Sequence, residues 1–172
     1  MGVAIGWAVL LLSGVITASL LRGNGEDTAP PAGPLALAGV PAPVAGSPEC
    51  GTLLAALPAT LPGKNGALTR VELAAPTPPG TVAWTGGVSR PVVLRCGLDR
   101  PAELIPTAGL RAVSGIQWLP VEATDGTMTW YLVDRPVYVA FTVPADAGTG
   151  PLQDVSTVAG RVLTPVQIRF GT

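Results

Sequence analysis

From Val3 to Leu21 the sequence reads VAIGWAVLLLSGVITASLL, nineteen residues without one charged side chain. A helix rises about 1.5 Å per residue, so a stretch of that length just crosses the roughly 30 Å hydrocarbon core of a bilayer. Lipid offers the backbone no hydrogen-bond partner, and a lone segment that crosses it must be a helix. The sequence therefore predicts a transmembrane anchor over residues 1–22. The alternative is a signal removed on secretion. Signal cores usually span only about 7–15 apolar residues and are followed closely by a small-x-small site. Here the best such site, Ala36-Leu37-Ala38, lies well downstream, and no cysteine directly follows the run to accept a lipid. An uncleaved anchor is favoured. Arg22 flanks the run and no Lys or Arg precedes it, so charge bias says little about orientation.

Residues 23–48 read GNGEDTAPPAGPLALAGVPAPVAGSP, in which eleven of 26 positions are Gly or Pro. Such a composition buries too little apolar surface to offset its ordering entropy, and a disordered linker is expected. Fully extended it would reach about 80 Å, and as a flexible coil about 30 Å. The remaining residues, 49–172, suffice for one ordinary domain.

In that domain Ser47-Pro48-Glu49 has the chemistry of a helix start, namely a cap, a first-turn proline and an acid at the positive end. Leu53, Leu54 and Leu57 mark one helical face before Pro58. Arg70-Val71-Glu72-Leu73 alternates as an edge strand would, and Pro62-Gly63-Lys64-Asn65-Gly66 reads as a solvated turn. Val82-Ala83-Trp84 and Val92-Val93-Leu94-Arg95-Cys96 predict two strands, and Asp99-Arg100-Pro101 a helical turn through Leu104. Asp125-Gly126 is the turn of a hairpin between Ile116–Ala123 and Thr127–Val133. Period-two spacing sets Met128, Trp130 and Leu132 against Thr129, Tyr131 and Val133, and puts Val137, Val139, Phe141 and Val143 on one face of a third strand. Leu152, Val155, Ala159 and Val162 then recur at helical spacing between Pro151 and Pro165. The fold class expected is α+β, an antiparallel sheet with helices packed on one face, preceded by the anchor and the linker.

Charge and composition narrow the function. Ten basic and eleven acidic side chains are scattered singly, so nothing favours a nucleic-acid partner. The absence of histidine removes the commonest general base and metal ligand, and with it the Ser-His and Cys-His arrangements. A Ser-Lys pair would need the single lysine, Lys64, buried. Gly63-Lys64 is followed by Asn65, which breaks the phosphate-loop pattern. Two cysteines alone make no zinc set. No catalytic residue, metal or cofactor is expected, and the chain reads as a non-enzyme.

Cys50 and Cys96 beyond a membrane span read as one disulfide in an oxidising compartment, with two buried thiols as the alternative. Closing a loop of that length contributes at most roughly 4 kcal/mol through the unfolded state. Arg95 sits between an apolar run and a cysteine; it is either a clamp for a carboxylate or phosphate, or a residue that faces the exposed side of the sheet or pairs structurally with Asp99 or Asp134. Trp118 and Trp130, on the two arms of the hairpin, are either a stacking pair for a sugar ring or core. Asp-Arg-Pro occurs at 99–101 and again at 134–136, where turn chemistry accounts for it.

The run Pro91-Val92-Val93-Leu94-Arg95-Cys96-Gly97-Leu98-Asp99-Arg100-Pro101 resembles the small actinobacterial envelope proteins grouped as domain-of-unknown-function family 3515. Cys50 at the head of a helix ending Leu57-Pro58, Ala83-Trp84, Val113-Ser114-Gly115-Ile116-Gln117-Trp118, Thr129-Trp130-Tyr131 and Asp134–Ala140 are similar too, the last two to the mycobacterial branch. The resemblance covers about 49–162 and implies one extracytoplasmic domain behind a membrane or lipoprotein signal; it carries over no activity and no functional residue. The expected protein is single-pass at the plasma membrane through residues 3–21, with its domain outside the cytoplasm. It would act as an interaction or accessory module on an envelope protein partner, or alternatively as a binding domain for an envelope glycan, lipid or peptidoglycan fragment.

Overall fold

The computed structural model describes residues 33–171. The expected anchor, 3–21, and the first part of the expected linker lie outside the described residues. Among the described residues, no helix is long and apolar enough to cross a membrane.

Helix α1 (Pro48–Ala56) opens the domain as its cap chemistry predicts, with the Ser47 hydroxyl accepting from the Cys50 N–H at 3.2 Å. Strands β1 (Thr60–Gly63), β2 (Gly66–Val71), β3 (Thr81–Thr85) and β4 (Val92–Leu98) follow. Then come β5 (Arg111–Val113), β6 (Ile116–Glu122), β7 (Met128–Leu132) and β8 (Tyr138–Val143), and helix α2 (Gly150–Val162) comes last. The strands form one antiparallel sheet of eight in the order β1-β2-β3-β4-β8-β7-β6-β5. Each half is an up-and-down meander, and the halves join where β4 pairs with β8. The expected α+β class, an antiparallel sheet with two helices, is the class observed.

Both helices cover the same face. Leu53 and Leu57 from the α1 side and Leu152, Val155, Val158 and Ala159 from α2 share one core with Leu68, Trp84, Leu94, Trp118, Leu132, Val139 and Phe141. Trp84 meets Phe141 edge-on, with ring centroids 6.4 Å apart, and its indole N–H donates to the Pro58 carbonyl at 3.1 Å. The disulfide forms between Cys50 on α1 and Cys96 on β4, fastening the first helix to a central strand.

On the opposite face the chain from β4 must travel to the far edge, where β5 lies. Strands sit about 4.8 Å apart, so the crossing over β8, β7 and β6 spans about 19 Å. Residues 99–110 make it, and Leu104 drops onto Leu119 and Val133 as a second, smaller core. The C-terminal segment joins this cover: the Val166 N–H donates to the Asp134 carbonyl at 2.9 Å and the Gly171 N–H to Leu104 at 2.8 Å, with Ile168 packed between.

Several expectations are corrected. Arg70-Val71 belongs to β2, which is not an edge, because β1 pairs outside it. β1 carries Pro62, a residue that an edge strand tolerates. The turn between β1 and β2 does hold an exposed Lys64. No helical turn forms at Asp99–Leu104, where a single turn bond from the Leu104 N–H to Pro101 is made instead. The expected linker, 23–48, is not loose where it is described. Leu35 bridges Leu73, with bonds to Glu72 and Ala74, and the Val44 N–H donates to Gly97 at 3.1 Å. Leu73, Gly80 and Gly97 all lie at one end of the sheet, so residues 33–47 form a strap across it. Gly97 has φ +87° at a register shift in β4, and a Cβ there would strike the backbone of Val44 and Ala45. Only glycine lets the strap lie this close.

Candidate functional site

The register divides the sequence-derived candidates between two faces. Trp118 and Trp130 share the helix-covered face, where Trp118 is fully buried and Trp130 packs against the main core. The Trp118 indole N–H donates to the Ser156 hydroxyl at 2.9 Å, and that hydroxyl donates to Leu152 at 2.6 Å. Trp118 thus belongs to the core, while Trp130 is half-buried at its edge. Arg95 lies on the other face and cannot share a pocket with them.

On its own face Arg95 belongs to a lateral row. Thr81 of β3 faces Arg95 of β4, Arg95 faces Ala140 of β8, Ala140 faces Tyr131 of β7, and Tyr131 faces Leu119 of β6. Ala140 is the smallest member and lies between a guanidinium and a phenol. Thr142 and Thr129 close the next row, joined hydroxyl to hydroxyl at 3.1 Å. Tyr131 and Tyr138 pack against the small Leu104, Leu119 and Val133 core.

The electrostatics are unusual for a structural arginine. Arg95 is half-buried and forms no ion pair with any carboxylate among the described residues; Asp99 and Asp134, the partners weighed from sequence, do not reach it. Its Nε is buried without a hydrogen-bond partner. Burial lowers the pKa of this guanidinium, which the nearby Tyr131 opposes; it stays cationic all the same. Burial pushes the Tyr131 phenol up, Glu103 on the crossing segment adds to that, and Arg95 works against it.

Two other arginines are provided for. Arg135 is 4% exposed and Asp134 8%. The two pair at 2.8 Å, while Asp134 also accepts from the Gln117 N–H at 3.0 Å. Arg90 pairs with Asp125 at the surface, and the Ser89 N–H donates to Asp146 at 2.7 Å, so two aspartates hold the β3–β4 loop. Asp125 also caps its own hairpin turn by accepting from the Thr127 N–H, and this bond first, then the Thr127 side chain and Arg90, lowers its pKa to about 2. Among the described residues no group of three or more Cys, Asp or Glu side chains is placed to hold a metal ion.

Sequence reasoning found Arg95 and missed its neighbours Tyr131 and Ala140, because β8 enters between β4 and β7 from far along the chain. The cover over this face bears exposed apolar side chains as well, Ile105 at 44% and Phe170 at 42%. Compared with known protein families, residues 5–168 match the family described as protein of unknown function (DUF3515), and the chain belongs to that family. No curated protein and no solved structure matches it.

Proposed function

We propose that this member of the DUF3515 family is a membrane-tethered, extracytoplasmic accessory module of an actinobacterial cell envelope, without catalytic activity of its own. The observation that carries the reading is the Cys50–Cys96 disulfide, a bond that persists in oxidising compartments and is rare in the cytosol. The charge-free run Val3–Leu21 supports the tether, and the lack of histidine supports a role in binding over chemistry. The exposed apolar side chains on the cover supply contact surface for an envelope protein.

A second reading, a binding domain for an envelope glycan, lipid or peptidoglycan fragment, is favoured by one feature, the half-buried and unpaired Arg95. Cross-linking in living cells followed by purification of the full-length protein separates the two. A single stoichiometric envelope protein is the result expected of an accessory module. Recovery of the protein with only a small molecule bound would replace the first reading with the second.

A further inference from the structure

We propose that the sheet face opposite the helices carries an anion site built on Arg95, floored by Ala140 and flanked by Tyr131, whose ligand is a carboxylate or phosphate joined to an apolar group. The site rests on the ligand-binding reading and gives it a place and a chemistry.

Register supplies the geometry. Arg95 and Tyr131 both face Ala140, one from each neighbouring strand, so their backbones stand about 10 Å apart across a methyl group. Ala140, 6% exposed, separates the two longer side chains. The guanidinium is rigidly based, because β4 is an inner strand held by β3 and β8 and fastened to α1 through Cys96.

Charge supplies the selectivity. A partly desolvated cation is costly unless something completes it. The fold gives Arg135 a carboxylate, Asp134 beside it, and Arg90 another, Asp125. It leaves Arg95 without a carboxylate; the Nε of Arg95, like that of Arg135, is buried without a partner. A planar fork of donors in that setting fits the paired oxygens of a carboxylate or phosphate. Tyr131 adds a hydroxyl on the far side, and its ring leads into the apolar cluster of Leu104, Leu119 and Val133, which accounts for the apolar part of the ligand.

The chain has two tyrosines, Tyr131 and Tyr138, so a tyrosine-labelled NMR spectrum is assigned by the single change Tyr131→Phe. Full-length protein in phosphatidylcholine nanodiscs is titrated with octanoate, octyl phosphate and neutral octanol. The expected result is a saturable shift of Tyr131 with an anionic probe and none with octanol. Arg95→Met should weaken it at least tenfold, about the worth of a charged hydrogen bond, while Arg90→Ala leaves it unchanged. If Arg95→Met fails to fold, Arg95→Lys, which keeps the charge and loses the fork, should still weaken binding several-fold. Nanodiscs containing phosphatidylglycerol and no soluble probe distinguish the source: a Tyr131 shift there assigns the anion to a lipid headgroup, and its absence assigns it to a soluble ligand. Saturable binding that neither Arg95 variant alters would overturn the site and leave the ligand-binding reading standing. No saturable binding to any probe or disc would overturn both.

Discussion

At the scale of single residues, the buried polar groups separate structure from function. Arg135 and Asp134 are adjacent, almost wholly buried and paired, and Asp134 also receives the Gln117 N–H. Removing one partner strands the other's charge, so Arg135→Ala should cost about 3–5 kcal/mol in a denaturant melt. Ser156→Ala leaves the Trp118 indole N–H without its acceptor and should cost about 1–3 kcal/mol in the same assay. Arg95 differs from both, since no interaction among the described residues requires its charge. Arg95→Met should therefore change stability far less than Arg135→Ala, and an equal loss would mark Arg95 as structural. Arg95 was legible in the sequence because one charge interrupts an apolar strand. Its partners were not, since Ala140 and Tyr131 meet it only through a strand order that no local pattern encodes.

At the scale of elements, local chemistry was readable wherever side chains carry the signal. The Asp125-Gly126 turn and the alternation on either side of it predict the β6–β7 hairpin and the faces of Trp130 and Tyr131. Strands β1 and β5 were missed because they are only four and three residues long, too short for periodicity to show. The strap was missed for another reason: backbone groups tie it to the sheet end, and its Gly- and Pro-rich side chains carry no sign of that. Gly97 is the position on which its docking depends. Gly97→Ala, which adds a clash to a left-handed backbone, should destabilise the domain by more than about 1 kcal/mol and open residues 33–47 to limited proteolysis. The loop between β3 and β4 should be sensitive to acid. An unfolded aspartate titrates near pH 3.9, whereas Asp125 titrates at about 2 in the fold, and Asp146 is lowered as well, chiefly by the Ser89 N–H. Folding thus favours the ionised forms. The stability they contribute is complete above about pH 4 and lost as pH falls toward 2. Thermal melts across that window should show a shallower pH dependence for Asp125→Asn than for the parent chain.

At the scale of the molecule, one covalent bond and one sheet hold the domain together. The disulfide closes the chain from α1 to the middle of the sheet, and bonds of this kind persist in oxidising compartments. Reduction should lower the melting temperature by several degrees, in proportion to the roughly 4 kcal/mol that closing such a loop contributes. The central claim, an extracytoplasmic domain on a membrane tether, is tested most directly by protease and thiol accessibility of the full-length protein in intact spheroplasts. The account predicts that protease added outside removes the domain without lysis, and that Cys50 and Cys96 resist alkylation until reduced. A domain protected until lysis, with both cysteines freely alkylated, would contradict it.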